Sequence, residues 1–170
     1  MTKRHHLLKI STLVSLVSVL TMNESYGAST TANMAVNVNV VGKCSVTTNT
    51  LLFPDYDGSL PAQDSIVSSP AISVNCANNE NYTISLGVGV GTYTQRVMKN
   101  AGNPNLNYNL YTDATLAHVW GDGSGATQTV AGVGNNNVQN ITVNGKIPGG
   151  QTTITTNTLY ADLIAVTVNY

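Results

Sequence analysis

His118 is the only histidine beyond position 6, and it sits beside Val119 and Trp120 in a short apolar run. A lone histidine can serve as a general base, but it needs a nucleophile to activate. No serine stands in a Gly-x-Ser-x-Gly elbow, so a serine triad has no anchor. A structural strand histidine is the plainer reading. Asp55, Asp57 and Asp122 could touch calcium, yet the regular ligand spacing of a calcium loop is absent, and solvated loops explain them better. Gly121-Asp122-Gly123-Ser124-Gly125-Ala126 matches the letters of a dinucleotide-binding turn. Without a strand before it and a helix after it, it reads as an ordinary turn. Cys44 and Cys76 are the only cysteines. Two thiolates with no histidine nearby make a poor metal set. As a disulfide they would close a loop worth roughly 3.5–4 kcal/mol in the chain-entropy account. No cofactor or metal is expected, and no carboxylate pair or histidine-centred cluster argues for an enzyme.

The composition points the same way. Charged residues make up 9% of the 170-residue chain, against about 25% in an average soluble domain. The formal net charge is −1, and no basic cluster follows Lys9. An electrostatic nucleic-acid binder is therefore excluded. The chain has 22 Thr, 21 Asn, 20 Val and 15 Gly. Thr and Val favour strands, while Asn and Gly favour turns. With one Phe and one Trp, the core must come from Tyr, Val, Ile and Leu.

Residues 1–27 read as a signal peptide. Lys3, Arg4 and Lys9 form the positive region, and Ile10–Leu20 is an apolar run too short to span about 30 Å of hydrocarbon as a helix. Ser25 and Gly27 place small residues at −3 and −1, so the cut is expected after Gly27, with Ala28 as second choice. The remainder carries four basic and seven acidic residues, a net charge of −3. Export also puts Cys44 and Cys76 where a disulfide persists.

The remaining chain shows period two and no helical period. Met34, Val36, Val38 and Val40 share one face of a candidate strand over 32–41, with Asn33, Ala35, Asn37 and Asn39 on the other. Further strands are expected at 44–53, 71–76, 82–90, 108–112, 117–120, 127–131, around 138–143 and at 160–170, with loops at 54–61 and 99–107. Seven to nine short strands predict one β-sandwich domain. The Asn81-Tyr82-Thr83 and Asn140-Ile141-Thr142 sequons are accounted for by the abundance of Asn and Thr.

Both ends of this region are strong strand formers. Chain ends are usually frayed and polar. Here the chain closes on Val166-Thr167-Val168-Asn169-Tyr170, with Tyr160, Ile164, Val166, Val168 and Tyr170 on one face. Two edge strands of a closed sandwich would explain this. The sharper reading is that one end is offered to another protein as a strand.

Ordered motifs run through the chain. They are Ile72-Ser73-Val74-Asn75-Cys76, Arg96-Val97-Met98-Lys99-Asn100, Tyr108-Asn109-Leu110-Tyr111-Thr112-Asp113 and Trp120-Gly121-Asp122-Gly123. Gly145-Lys146-Ile147-Pro148-Gly149-Gly150-Gln151 and Tyr160-Ala161-Asp162 follow, leading to the aromatic C-terminus. In this order, with these cysteines, the chain resembles the spore coat protein U family, which includes subunits of archaic chaperone–usher pili. The resemblance implies an all-β, incomplete immunoglobulin-like sandwich of six strands whose seventh is supplied in trans. It implies a donor-strand extension at 28–41 carrying Met34, Val36, Val38 and Val40, and a sandwich domain at 42–170. Cys44 and Cys76 would tie its first strand to its second. The C-terminal strand, with Ile164, Val166, Val168 and Tyr170, would pair with a periplasmic chaperone and line one side of the groove. The implied partners are neighbouring pilin subunits, that chaperone and an outer-membrane usher. The implied location is the periplasm in transit and then a cell-surface fimbrium used in adhesion and biofilm formation. The glycine-rich stretch 87–91 and the turn at Asn135–Asn137 look particular to this chain. A donor segment without a second domain fits a shaft or linker subunit better than a tip adhesin. A self-contained secreted or spore coat protein is the second reading.

Overall fold

The computed structural model describes residues 27–61, 63–102 and 104–170. The signal-peptide reading lies outside the described residues, apart from Gly27. The chain divides into a unit ending at Val38 and a unit spanning Asn39–Tyr170. In the first, residues 27–38 carry no helix or strand and are exposed. The alternation over 32–41 is thus not expressed as a strand. A strand requires a partner for its amides and carbonyls, and alternation does not supply one.

The second unit holds eight strands and no helix among the described residues. They are β1 (Cys44–Thr48), β2 (Ser65–Cys76), β3 (Asn81–Leu86), β4 (Arg96–Met98), β5 (Leu106–Tyr111), β6 (Val130–Val133), β7 (Gln139–Ile147) and β8 (Val166–Asn169). One sheet runs β1-β2-β7-β5-β4 and the other β6-β3-β8, with every pair antiparallel. Eight strands rather than six arise because β4 and β6 are short additional strands at sheet edges.

Alternation explains the clearest elements. In β3, Tyr82, Ile84 and Leu86 are buried while Asn81 and Thr83 are exposed. In β5, Leu106, Tyr108 and Leu110 face the core. β2 is longer than its apolar half suggests. Pro70 lies inside it, where the register against β7 shifts between Ser69 and Ile72. A proline lacks the amide needed for a ladder bond, so it is accommodated at an irregularity. The expected strand at 82–90 stops at Leu86, and Gly87 opens a loop. The expected strand at 117–120 is reduced to isolated bridges, Tyr111 with Val119 and Trp120 with Gln128. The expected strand at 127–131 appears later, as β6.

Both sheets contribute to a single core that includes Ile72, Val74, Ile84, Leu110, Trp120, Val143 and Ile147. Arg96 is buried inside this structure. Its guanidinium donates to Gly87 O at 3.1 and 2.9 Å, Trp120 O at 2.7 Å and Asn109 Oδ1 at 2.7 Å. It also lies over the Tyr93 ring, 5.5 Å from the centroid. Burial depresses its pKa, but from a value high enough that the group remains cationic. Neutral acceptors and one aromatic face therefore hold a buried charge whose bonded partners include no carboxylate. Trp120 Nε1 donates to Ile84 O at 3.0 Å. No buried side-chain polar atom lacks a partner among the described residues.

Candidate functional site: an open groove between the sheets

The candidate catalytic groups are used in turns. Asp113 accepts from the amides of Thr115 and His118, at 3.0 and 2.9 Å, and from the Thr115 hydroxyl. His118 Nδ1 lies 3.1 Å from Asp113 Oδ2 on the surface. The Thr115 hydroxyl, followed by the loop amides, lowers the Asp113 pKa. Asp57 accepts from Ser59 N and Asp122 from Ser124 N, each at 2.9 Å. Among the described residues, no three His, Cys, Asp or Glu gather as a metal site. Gly123 and Gly125 take positive φ values of 87° and 59°, which marks 121–126 as a turn.

Cys44 and Cys76 form a disulfide, directly opposed in the β1–β2 register. It clamps β1 at the point where the chain enters its sheet. Among the described residues, β1 pairs only with β2 and β8 only with β3. Each is therefore an edge strand, and the groove runs between these two edges.

The groove has a volume of about 1090 Å³. One wall is the segment 48–58, continuing from β1, and the other is 154–166, leading into β8. The floor is made by Ala71 and Ile72 of β2, Leu86 of β3, Leu106, Tyr108 and Leu110 of β5, and Val143 and Ile147 of β7. Both sheets thus present core side chains to an unfilled slot. Phe53 from the first wall meets Tyr108 edge-to-face, with centroids 6.2 Å apart. The second wall is pinned by Asp162. It accepts from Tyr108 Oη at 2.8 Å, Val90 N at 3.2 Å and Leu163 N at 2.8 Å. Burial raises the Tyr108 pKa, and the bond to Asp162 adds to the rise. Gln151 fastens the base of that wall. Its side-chain amide accepts from Asn107 N at 2.7 Å and donates to Asn107 O at 3.0 Å, as a neighbouring strand would.

The expected groove-edge residues divide by position. Ile164 and Val166 line the groove. Val168 is half-buried and packs on the core, while Tyr170 is 62% exposed. Half of the amides and carbonyls of an edge strand face away from its partner, so β8 offers unpaired backbone as well as apolar side chains. Met34, Val36, Val38 and Val40 are between 81% and 85% exposed. Four exposed apolar side chains in one short segment are unusual on a soluble surface. Sequence reading missed the groove-facing residues Leu51, Phe53, Ile154 and Leu159 and the pins Asp162 and Gln151. Leu51 and Phe53 lie in the expected strand 44–53, which pairs only as far as Thr48, and Asp162 lies in the expected strand 160–170, which pairs only from Val166; the roles of all six depend on long-range partners.

Three comparisons bear on this geometry. Protein U of Myxococcus xanthus is 28% identical over 177 residues, covering 95% of this chain and 96% of that protein. A crystal structure of the CsuC–CsuE chaperone–tip adhesion subunit pre-assembly complex, from archaic chaperone-usher Csu pili of Acinetobacter baumannii, matches with a TM-score of 0.52 at 20% identity. That match covers 77% of this chain and 40% of the other, and it establishes a shared fold, the immunoglobulin-like sandwich. The Spore Coat Protein U domain matches residues 30–167, the whole of the described sandwich except its last three residues. With eight strands in two antiparallel sheets, an edge-to-edge groove and a domain match over most of its length, this chain is a member of the Spore Coat Protein U domain family, a structural and non-enzymatic one.

Proposed function

We propose that the chain is a structural subunit of an archaic chaperone–usher pilus and polymerises by donor-strand complementation. The observation that carries this reading is an apolar groove between two unpaired sheet edges, in a chain that also bears an exposed alternating apolar segment. Met34, Val36, Val38 and Val40 of one copy enter the groove of the next, and the segment completes the sandwich as an added strand. Burial of four such side chains contributes roughly 1.5–3 kcal/mol each, and main-chain bonds to β8 satisfy its open edge. Donor segment and groove lie on opposite partners, so the contact does not close and a filament results. Before assembly a periplasmic chaperone covers the same groove along Ile164, Val166, Val168 and Tyr170, and an outer-membrane usher exchanges it for the next subunit. A subunit carrying a donor segment belongs in the shaft or a linker of a surface fibre that serves adhesion and biofilm formation.

The test is a gel of periplasmic protein run with and without boiling, comparing the native chain with Val36→Asp/Val38→Asp. The expected result is an unboiled ladder that collapses on boiling and is absent from the variant. The family description names a coat protein, and the second reading is a self-contained one whose segment fills its own groove. A single monomer band from folded protein in both samples would replace the pilin mechanism with that reading.

A further inference from the structure

We infer that Asp55 and Asp57 receive Lys43 of the incoming copy, and that this contact sets which way round its extension lies in the groove. The inference rests on the donor-strand reading above.

The groove keeps uncommitted charge on one wall. Among the described residues its lining includes Asp55, Asp57 and Asp162 and no Lys, Arg or His. Asp162 is committed to Tyr108, Val90 and Leu163. Asp57 uses Oδ1 for the Ser59 amide and hydroxyl, at 2.9 and 2.6 Å. Its other oxygen and both oxygens of Asp55 have no hydrogen-bond partner among the described residues. Standing two residues apart on an exposed stretch, the two carboxylates are free to bind a cation.

Their position along the groove follows from the bonds of this segment. Tyr56 Oη donates to Pro148 O at 2.7 Å and accepts from Gln151 N at 3.1 Å. Gly58 lies against Ile154. The acidic end therefore faces 148–154, upstream of β8. At the opposite end β1 approaches β8, and among the described residues the one other acidic side chain of the lining is Asp162, whose oxygens are already bonded.

The extension is charged at one end. Between residues 28 and 43 it has no acidic residue and one basic residue, Lys43. Met34 to Val40 spans about 20 Å as a strand, and Lys43 lies about 10 Å beyond Val40. Lys43 is exposed and takes part in neither ion pair seen among the described residues. Laid antiparallel to β8, the extension carries Lys43 toward Asp55 and Asp57. Laid parallel, it carries Lys43 to the end without uncommitted carboxylates. Rim charges of this kind steer encounter and set register.

Carbodiimide coupling of the assembled native chain, followed by peptide mass spectrometry, tests this directly. The reagent joins a lysine amine to a carboxylate in contact with it. Lys146 and Asp64, 2.6 Å apart within one chain, supply a link expected in every sample. The expected result is a second link, from Lys43 to Asp55 or Asp57, present in the ladder and absent from the monomer. Lys43→Glu should slow assembly roughly two- to fivefold at low salt, the scale of exposed ion pairs. Asp55→Lys/Asp57→Lys in the same chain should restore the rate. A ladder that depends on Val36 and Val38 but shows only the Lys146–Asp64 link overturns this contact and leaves the donor-strand reading standing. The absence of a Val36/Val38-dependent ladder overturns both.

Discussion

Tyr108 donates its phenolic hydrogen to Asp162 across 2.8 Å, and through that bond the floor of the groove holds the wall that leads into β8. The two residues are 54 positions apart, one on β5 and the other on the segment that leads into β8. Asp162 also accepts the amides of Val90 and Leu163. One carboxylate thus joins β5, the loop after β3 and the approach to β8.

Tyr108→Phe should lower unfolding stability by about 1.5–3 kcal/mol, the range for a hydrogen bond to a charged group. Asp162→Asn should act in the same direction. The two are in direct contact, so the double variant should cost less than the sum of the single changes. Urea unfolding of the three variants checks this, and strict additivity would show that the bond does not couple floor to wall.

Arg96 is a buried cation bonded to two carbonyls and one amide oxygen. Lys cannot reproduce a planar fork that reaches Gly87, Trp120 and Asn109 together. Arg96→Lys should therefore destabilise by about 3 kcal/mol or more, since partners of a buried charge are left unsatisfied. Thermal unfolding followed by circular dichroism reads the effect. A drop of only a degree or two would show that water or Tyr93 replaces the lost bonds.

Stability should fall in acid. Asp113 has a lowered pKa because the Thr115 hydroxyl and the loop amides favour its charged form, and Asp57 and Asp122 are lowered by Ser59 and Ser124. A carboxylate with a lower pKa in the folded state contributes stability above its unfolded value of about 3.9 and loses it as pH falls further. The thermal midpoint should be flat between pH 7 and 5 and drop below pH 4. Asp113→Asn should make that drop shallower while lowering the midpoint at pH 7. Calorimetry from pH 7 to 2 measures both, and an unchanged acid slope would remove Asp113 from the account.

Strand by strand, legibility tracked how local the cause was. Tyr82, Ile84 and Leu86 marked β3 because alternation alone places them inward. The first half of β2 was hidden by Pro70, which a ladder shift accommodates only because β7 lies beside it. Residues 117–120 looked like a strand but form only bridges, since their neighbours are single residues rather than a facing strand. Among the groove-lining residues, period two placed Ile164 and Val166 on one face of the last strand, and the family resemblance supplied the groove. Leu51, Phe53 and Ile154 could not, because they lie on irregular walls and gain an inner face only from the sheets around them.

Composition and period two determined an all-β chain with few charges, a paired Cys44 and Cys76, and a separate alternating apolar segment at 34–40. The strands are local properties, set by side-chain type and spacing, and the pairing follows because the chain has two cysteines. The tertiary structure alone decided that β1 and β8 are unpaired edges, that a slot of about 1090 Å³ separates their walls, and that Asp162 and Gln151 hold one wall in place. A two-residue period says that a strand has an inner face. It does not say which strand lies beside it, because that choice is made by contacts between residues far apart in the chain.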